Sequence, residues 1–271
     1  PAPPAPLPRV SLSCSLVNWS AAPSPNVPLS TLARRTDGQV FALNRSGDVL
    51  LHVDLPTGIT TRIGKLALGH HMGKFSGSIR HVRGLAFSDQ PHELWGILPC
   101  ETLKNQRVDC MIRIDTQTAL VTSLHMLNRT DVMAIAVPPR AGGSWRGTTH
   151  FLWCASGGLY SLKNANEGHE LKRIGAPTDG KQLRAICFDR EGKLWGVGLS
   201  GLVSVDTTVG SVKIVLELQG ESGSKLKLDS LMWQPFDPRV VLTMASHPCS
   251  MKIKKKTTTG ASSFSNDDKR T

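Results

Sequence analysis

The feature that most constrains this chain is a repeating pattern of short apolar or alternating runs. Each run is strand length, and turns interrupt the series about every six to ten residues. The clearest unit is Leu183–Leu218. It divides into Leu183–Phe188, Lys193–Gly198, Leu202–Asp206 and Ser211–Leu218, separated by Asp189-Arg190-Glu191-Gly192, Leu199-Ser200-Gly201 and Thr207-Thr208-Val209-Gly210. Glycine recurs where a tight turn asks for positive φ, and β-branched and aromatic residues fill the runs. This spacing predicts a four-stranded antiparallel meander.

The same grammar returns at Leu32–Gly64, Val82–Leu124 and Val132–Gly175, and begins again at Leu228–Ala245. A Leu-Trp marker stands at Leu94-Trp95, Leu152-Trp153 and Leu194-Trp195, with Val40-Phe41 in the first copy. One meander leaves both faces uncovered, so each must stack on its neighbours. A period of about 40–60 residues with one four-stranded sheet per repeat predicts an all-β β-propeller of four to five four-stranded blades. Two ways of ending the ring are open. It is incomplete, or the N-terminal strand around Val10–Val17 closes it beside Leu228–Ala245. Helical repeats are disfavoured by the alternation and the glycine punctuation.

The unit at Leu183–Gly210 resembles the blades of NHL and two-component-regulator type β-propellers. The shared order is an apolar strand, D-x-x-G, Leu-Trp-Gly, Gly-Leu, an apolar run ending in Asp, and a further glycine. The resemblance covers about residues 32–245 and concerns architecture; the Gly-His and Trp-Asp marks of WD40 repeats are missing. It implies a protein that acts as a binding platform, as propellers of this type commonly do, a minority being enzymes.

Flanking segments differ in composition. Residues 1–31 carry Pro1, Pro3, Pro4, Pro6, Pro8, Pro23, Pro25 and Pro28 and are expected to be extended. The propeller is expected over 32–249, and residues 250–271, polar and basic, are expected to be a flexible tail. The chain starts at Pro1, consistent with a trimmed initiator or a removed targeting segment. No apolar run reaches the length of a membrane-spanning helix.

The net charge is +11 and the pI about 9.7. Lys252, Lys254, Lys255, Lys256, Lys269 and Arg270 face only Asp267 and Asp268 in residues 251–271, yet the body is basic as well. Such a balance points to an acidic partner: a protein face, RNA, another polyanion or an anionic surface. The ordinary alternative is a solvated basic surface.

Chemistry-bearing motifs are sparse. The six cysteines (14, 100, 110, 154, 187 and 249) show no C-x-x-C spacing, which argues against zinc. Cys154 and Cys187 read as core residues; Cys100 and Cys110 flank one loop and would bridge it in an oxidising compartment. Sequons stand at Asn18, Asn44 and Asn128. There is no G-x-S-x-G, P-loop or dinucleotide fingerprint. Asp37, Asp54, Asp115, Asp189 and Asp206 occupy matched turn positions and read as backbone caps rather than acid–base pairs. Base stacking lacks aromatics: Tyr160 is the single tyrosine, and only Phe75 and Trp145 are loop aromatics near basic residues.

Blade topology places the second-to-third-strand loop on the same side as the connection to the next blade. The two longest such loops, 65–81 and 99–110, carry Lys65, His70, His71, Lys74, Arg80, His81, Lys104 and Arg107 against Glu101 and Asp109. They form the candidate binding face. His70 and His71 point to opposite sides of an extended chain, so joint metal ligation with His81 is disfavoured. Neither a cofactor nor a metal is expected. The expectation is a non-enzymatic scaffold or docking subunit of a larger assembly, intracellular rather than secreted. Its alternatives are an accessory protein touching RNA backbone through the loops and the tail, and a secreted or lumenal lectin-like or hydrolytic propeller.

Overall fold

The computed structural model describes residues 29–55, 57–69, 79–88, 90, 92–101, 106–139, 149–163, 171–175, 182–189, 191–198, 201–220, 228–233, 241–245 and 251–254. They form strands and turns, with no helix among them, and so none long and apolar enough to cross a membrane.

Blade one is β1 (Leu29–Arg34), β2 (Val40–Asn44), β3 (Val49–Val53) and β4 (Thr60–Lys65). A short strand β5 (Ala67–Leu68) follows. Blade two is β6 (Arg83–Phe87), β7 (Glu93–Glu101), β8 (Arg107–Asp115) and β9 (Leu120–Met126). Blade three is β10 (Val132–Ala136), β11 (Thr149–Cys154), β12 (Gly158–Lys163) and β13 (Leu171–Ile174). Blade four is β14 (Leu183–Phe188), β15 (Leu194–Gly198), β16 (Gly201–Val205) and β17 (Val212–Gly220). The remaining strands are β18 (Leu228–Trp233), β19 (Val241–Ala245) and β20 (Met251–Lys254). Each of the four blades is an antiparallel meander in sequence order, and β18 and β19 pair as a two-stranded hairpin.

The innermost strands meet in a circle: β1 lies against β6, β6 against β10, β10 against β14, β14 against β18, and β18 against β1. Four four-stranded blades and the β18–β19 hairpin therefore close the ring. The hairpin carries the same internal mark as the full blades. In all five inner strands the register slips once near the start, skipping Ser30, Gly84, Met133, Arg184 and Asp229. A bulge bends a strand and raises its twist, which a strand crowded around an axis needs. The Val10–Val17 strand, expected to complete this fifth sheet, lies outside the described residues.

The core is layered between blades. Phe41, Leu43 and Leu50 pack with Leu85, Leu94, Ile112 and Ile114 of blade two. Trp95, Ile97 and Met111 pack with Ile135, Leu152 and Leu162 of blade three. Trp153 and Leu159 pack with Ile186, Leu194 and Val203 of blade four. The aromatic markers thus fill successive inter-blade layers, as the repeat logic requires. A second joint recurs at the rim. The end of an outer strand abuts the third-to-fourth-strand turn of the next blade at Gly64–Ala119 and at Gly175–Gly210. A Cβ on Gly175 would fall 1.8 Å from the Val209 carbonyl oxygen, so only glycine fits.

Three expectations need correction. The stretch 99–110 is not a loop throughout: Pro99–Glu101 and Arg107–Cys110 extend β7 and β8. Pro99 is accommodated because Asp109 opposite turns its backbone to the other side, its N–H donating to Arg129 O at 2.5 Å and its carbonyl accepting from Leu127 N at 2.9 Å. The stretch 65–81 is partly sheet as well: Lys65 ends β4, and β5 pairs in parallel with Leu120 and Val121 of β9. Within the segment expected to be a flexible tail, Met251–Lys254 pair with Glu217–Gly220 on the outer edge of blade four. That edge offers unpaired backbone groups, which an alternating Met-Lys-Ile-Lys run can satisfy.

Candidate functional site

The side of the ring that holds the blade-to-blade connections is built on the second-to-third-strand turns. In blade one this turn is Arg45–Asp48. Asn44 and Ser46 fix it, donating to Asp48 Oδ1 at 2.9 and 2.5 Å, while the Asp48 amide donates back to Asn44 Oδ1 at 3.0 Å. The Ser46 and Asn44 bonds hold the Asp48 carboxyl below its ordinary value. The chain entering blade two docks on the same turn through the His81 amide, which donates to Ser46 O at 2.8 Å.

These contacts gather part of the expected face. Lys65 is exposed, its ammonium 3.9 Å from Asp48. Arg80 and His81 are exposed beside the turn, and Arg45 of the turn itself, which was not among the expected face residues, joins them. Arg107 is exposed on the β7–β8 arm, in register with Glu101. His70, His71, Lys74 and Lys104 lie outside the described residues, as do Lys255 and Lys256. Lys252 and Lys254 stand on β20, opposite Gln219 and Glu217, on a different blade from the loop cluster.

Between blades two and three the same side carries a polar cluster that sequence reasoning missed. Arg83, heading β6, pairs with Asp109 of β8, whose second oxygen accepts the Val132 amide at 2.7 Å. One carboxylate so ties three strands of two blades together. Burial pushes Asp109 above its ordinary value, against the pull of Val132 and Arg83. Next to it Arg129 forks onto Asp131 at 2.8 and 3.0 Å, donates to Tyr160 Oη at 3.0 Å, and lies 4.5 Å over the Tyr160 ring. Burial pulls Asp131 upward, but the Ser156 and Arg129 bonds outweigh it and leave the carboxyl below its usual range. The available signal was local: Arg129-Thr130-Asp131 directly precedes an inner strand, where a connection must be pinned.

The repeated turn carboxylates cap backbone. Asp115 accepts the Gln117 and Thr118 amides, Asp189 those of Glu191 and Lys193, and Asp206 those of Thr208 and Val209. These turns lie on the other side of the ring. Among the described residues no group of three or more His, Cys, Asp or Glu side chains converges as metal ligands.

No family model matches the chain, and no curated protein matches it in sequence. Solved structures do resemble it. A protein assigned as a gluconolactonase superposes with a TM-score of 0.53 at 12% identity, over 83% of this chain and 73% of that one. A gluconolactonase from Xanthomonas campestris gives 0.50 at 11% identity, over 82% and 71%. The chain is a β-propeller. Hydrazine synthase of Kuenenia stuttgartiensis matches at a TM-score of 0.45 and 14% identity, over 72% of this propeller, which spans 53% of that chain. At these identities the likeness concerns the fold.

Proposed function

We propose that this propeller is a non-enzymatic docking subunit, and that the connection side of blades one and two receives an acidic face of a protein partner. One observation carries this reading. On that side Asp48 is engaged by its own turn, Asp109 by Arg83 and Val132, and Asp131 by Arg129 and Ser156, whereas Arg45, Lys65, Arg80, His81 and Arg107 lie exposed alongside Glu101. Internal pairing of the acids leaves the outward field basic, which steers an acidic partner and fixes its register.

The test is zero-length carbodiimide coupling on the native assembly, followed by peptide mapping. Bonds from Lys65 to aspartates or glutamates of one partner are expected, and Arg80→Glu with Arg107→Glu should weaken retention at physiological salt at least tenfold. Retention unchanged by the charge reversals would overturn the reading. Loss of the bound material on ribonuclease treatment would replace the protein partner by RNA. The gluconolactonase likeness supplies the competing class. Turnover of an aldonolactone by the purified protein, abolished by substitutions on the connection side, would make it an enzyme.

A further inference from the structure

The β7–β8 arm carries a second feature that the docking reading does not use. Cys100 pairs in register with Val108, and Leu98 with Cys110. Side chains alternate along a strand, so Cys100 and Cys110 share one face as diagonal neighbours. Both are free thiols. Cys110 is fully buried, and Cys100 is half-buried at the open end of the arm, packed with Leu98 on the apolar layer between blades one and two. The Cys100 Sγ–H donates to Leu98 O at 3.5 Å.

The two thiols are close enough for the Cys110 Sγ–H to donate to the Cys100 sulfur. Two sulfurs in contact on one sheet face can be bridged by a third atom. The neighbouring carboxylate is taken, since Asp109 faces the opposite side and serves Arg83 and Val132. Among the described residues no third metal-ligating side chain joins the pair. Two thiolates in an apolar setting satisfy a soft monovalent ion.

We propose that Cys100 and Cys110 form a two-coordinate dithiolate site for a soft monovalent cation, copper(I) being the probe ion. Binding forms two S–Cu bonds and releases both thiol protons, with no change of oxidation state. The half-exposed Cys100 sulfur is the point of entry.

The experiment uses the full chain with Cys14→Ser and Cys249→Ser, titrated anaerobically with copper(I) against bicinchoninate. One equivalent should be withheld from the chelator, with thiolate-to-copper absorption in the near ultraviolet. Cys100→Ser and, separately, Cys110→Ser should each reduce retention at least a hundredfold. Cys100 is half-exposed, so its variant should keep the native circular dichroism and remains informative even if Cys110→Ser unfolds. Copper(I) held undiminished by the folded Cys100→Ser protein would overturn the proposal.

Discussion

Asp109 and Asp131 lie side by side at the joint of blades two and three, yet their surroundings move them in opposite directions. Asp109 is nearly sealed from water, and its charged form depends on one guanidinium and one amide. Arg83→Met leaves that charge without its cation, a loss of about 2–3 kcal/mol near neutral pH. This lies below the fully buried range because Arg83 keeps part of its surface in water. Removing Arg83 raises the Asp109 pKa further. A carboxyl raised in the folded state costs stability as pH climbs through its folded value, and costs nothing once both states are protonated. Urea titrations should therefore show the Arg83→Met deficit large at pH 7 and much reduced near pH 4; an equal deficit at both would refute the pairing energetics. Asp131 has the reverse sign. Its folded pKa is depressed, so its contribution is present above about pH 4, the unfolded carboxyl value, and is lost as pH falls through the folded value. Asp131→Asn should flatten the acid limb of wild-type stability, measured as the urea midpoint between pH 5 and pH 2.5.

At the scale of the blade, the rim joints explain why some glycines are fixed and others free. Gly175 has φ +73° and faces the Val209 carbonyl, whereas Gly192 has φ +78° and nothing within 4 Å of a built Cβ. Gly192→Ala should cost only the left-handed backbone penalty, about 1–2 kcal/mol. Gly175→Ala adds a clash with the backbone of the next blade and should cost about 3 kcal/mol or more by thermal or urea denaturation. Equal costs would show that the Gly175–Gly210 contact is not tight in solution. The same elements show what a sequence makes visible. The runs predicted from Leu183 onward coincide with β14 to β17 within a residue or two at most ends, because turn chemistry and apolar alternation are local signals. The extension of β7 and β8 past Pro99 was hidden. A proline in a ladder is tolerated only where its partner turns away, and Asp109 does so for a reason set by Arg129, twenty residues on. The parallel pairing of β5 with β9, and the antiparallel pairing of β20 with β17, depend on which edges are left open after the blades form. At the candidate site, exposed Lys65, Arg80, His81 and Arg107 were legible as loop charges. Arg83–Asp109 was not, since its two residues belong to different strands and no periodicity relates them.

For the whole molecule the decisive contact is the one that returns to the start. β18 touches both β14 and β1, so a two-stranded hairpin closes what would otherwise be an open arc. On the side of blade one turned away from blade two, Leu32, Val40, Ala42, Leu51 and Val53 are buried. They alternate with the residues that face blade two, and it is the closing unit that lies next to them. Uncovering a large aliphatic side chain costs about 1.5–3 kcal/mol, so exposing this group forfeits an amount comparable to the whole net stability of a domain, about 5–15 kcal/mol. The inner edges of β1 and β14 would lose their neighbour at the same time and become templates for pairing with other chains. A chain ending at residue 220 lacks β18, β19 and β20. It should lose the single cooperative urea transition expected of the intact ring and sediment as concentration-dependent oligomers. If it remained a monomer with an unshifted midpoint, the four full blades would be stable as an arc and the hairpin would be dispensable. The recurrence of the inner-strand bulge in β18 argues for the first outcome, because a unit that only decorated the arc would have no need to match the twist of the other four at the axis.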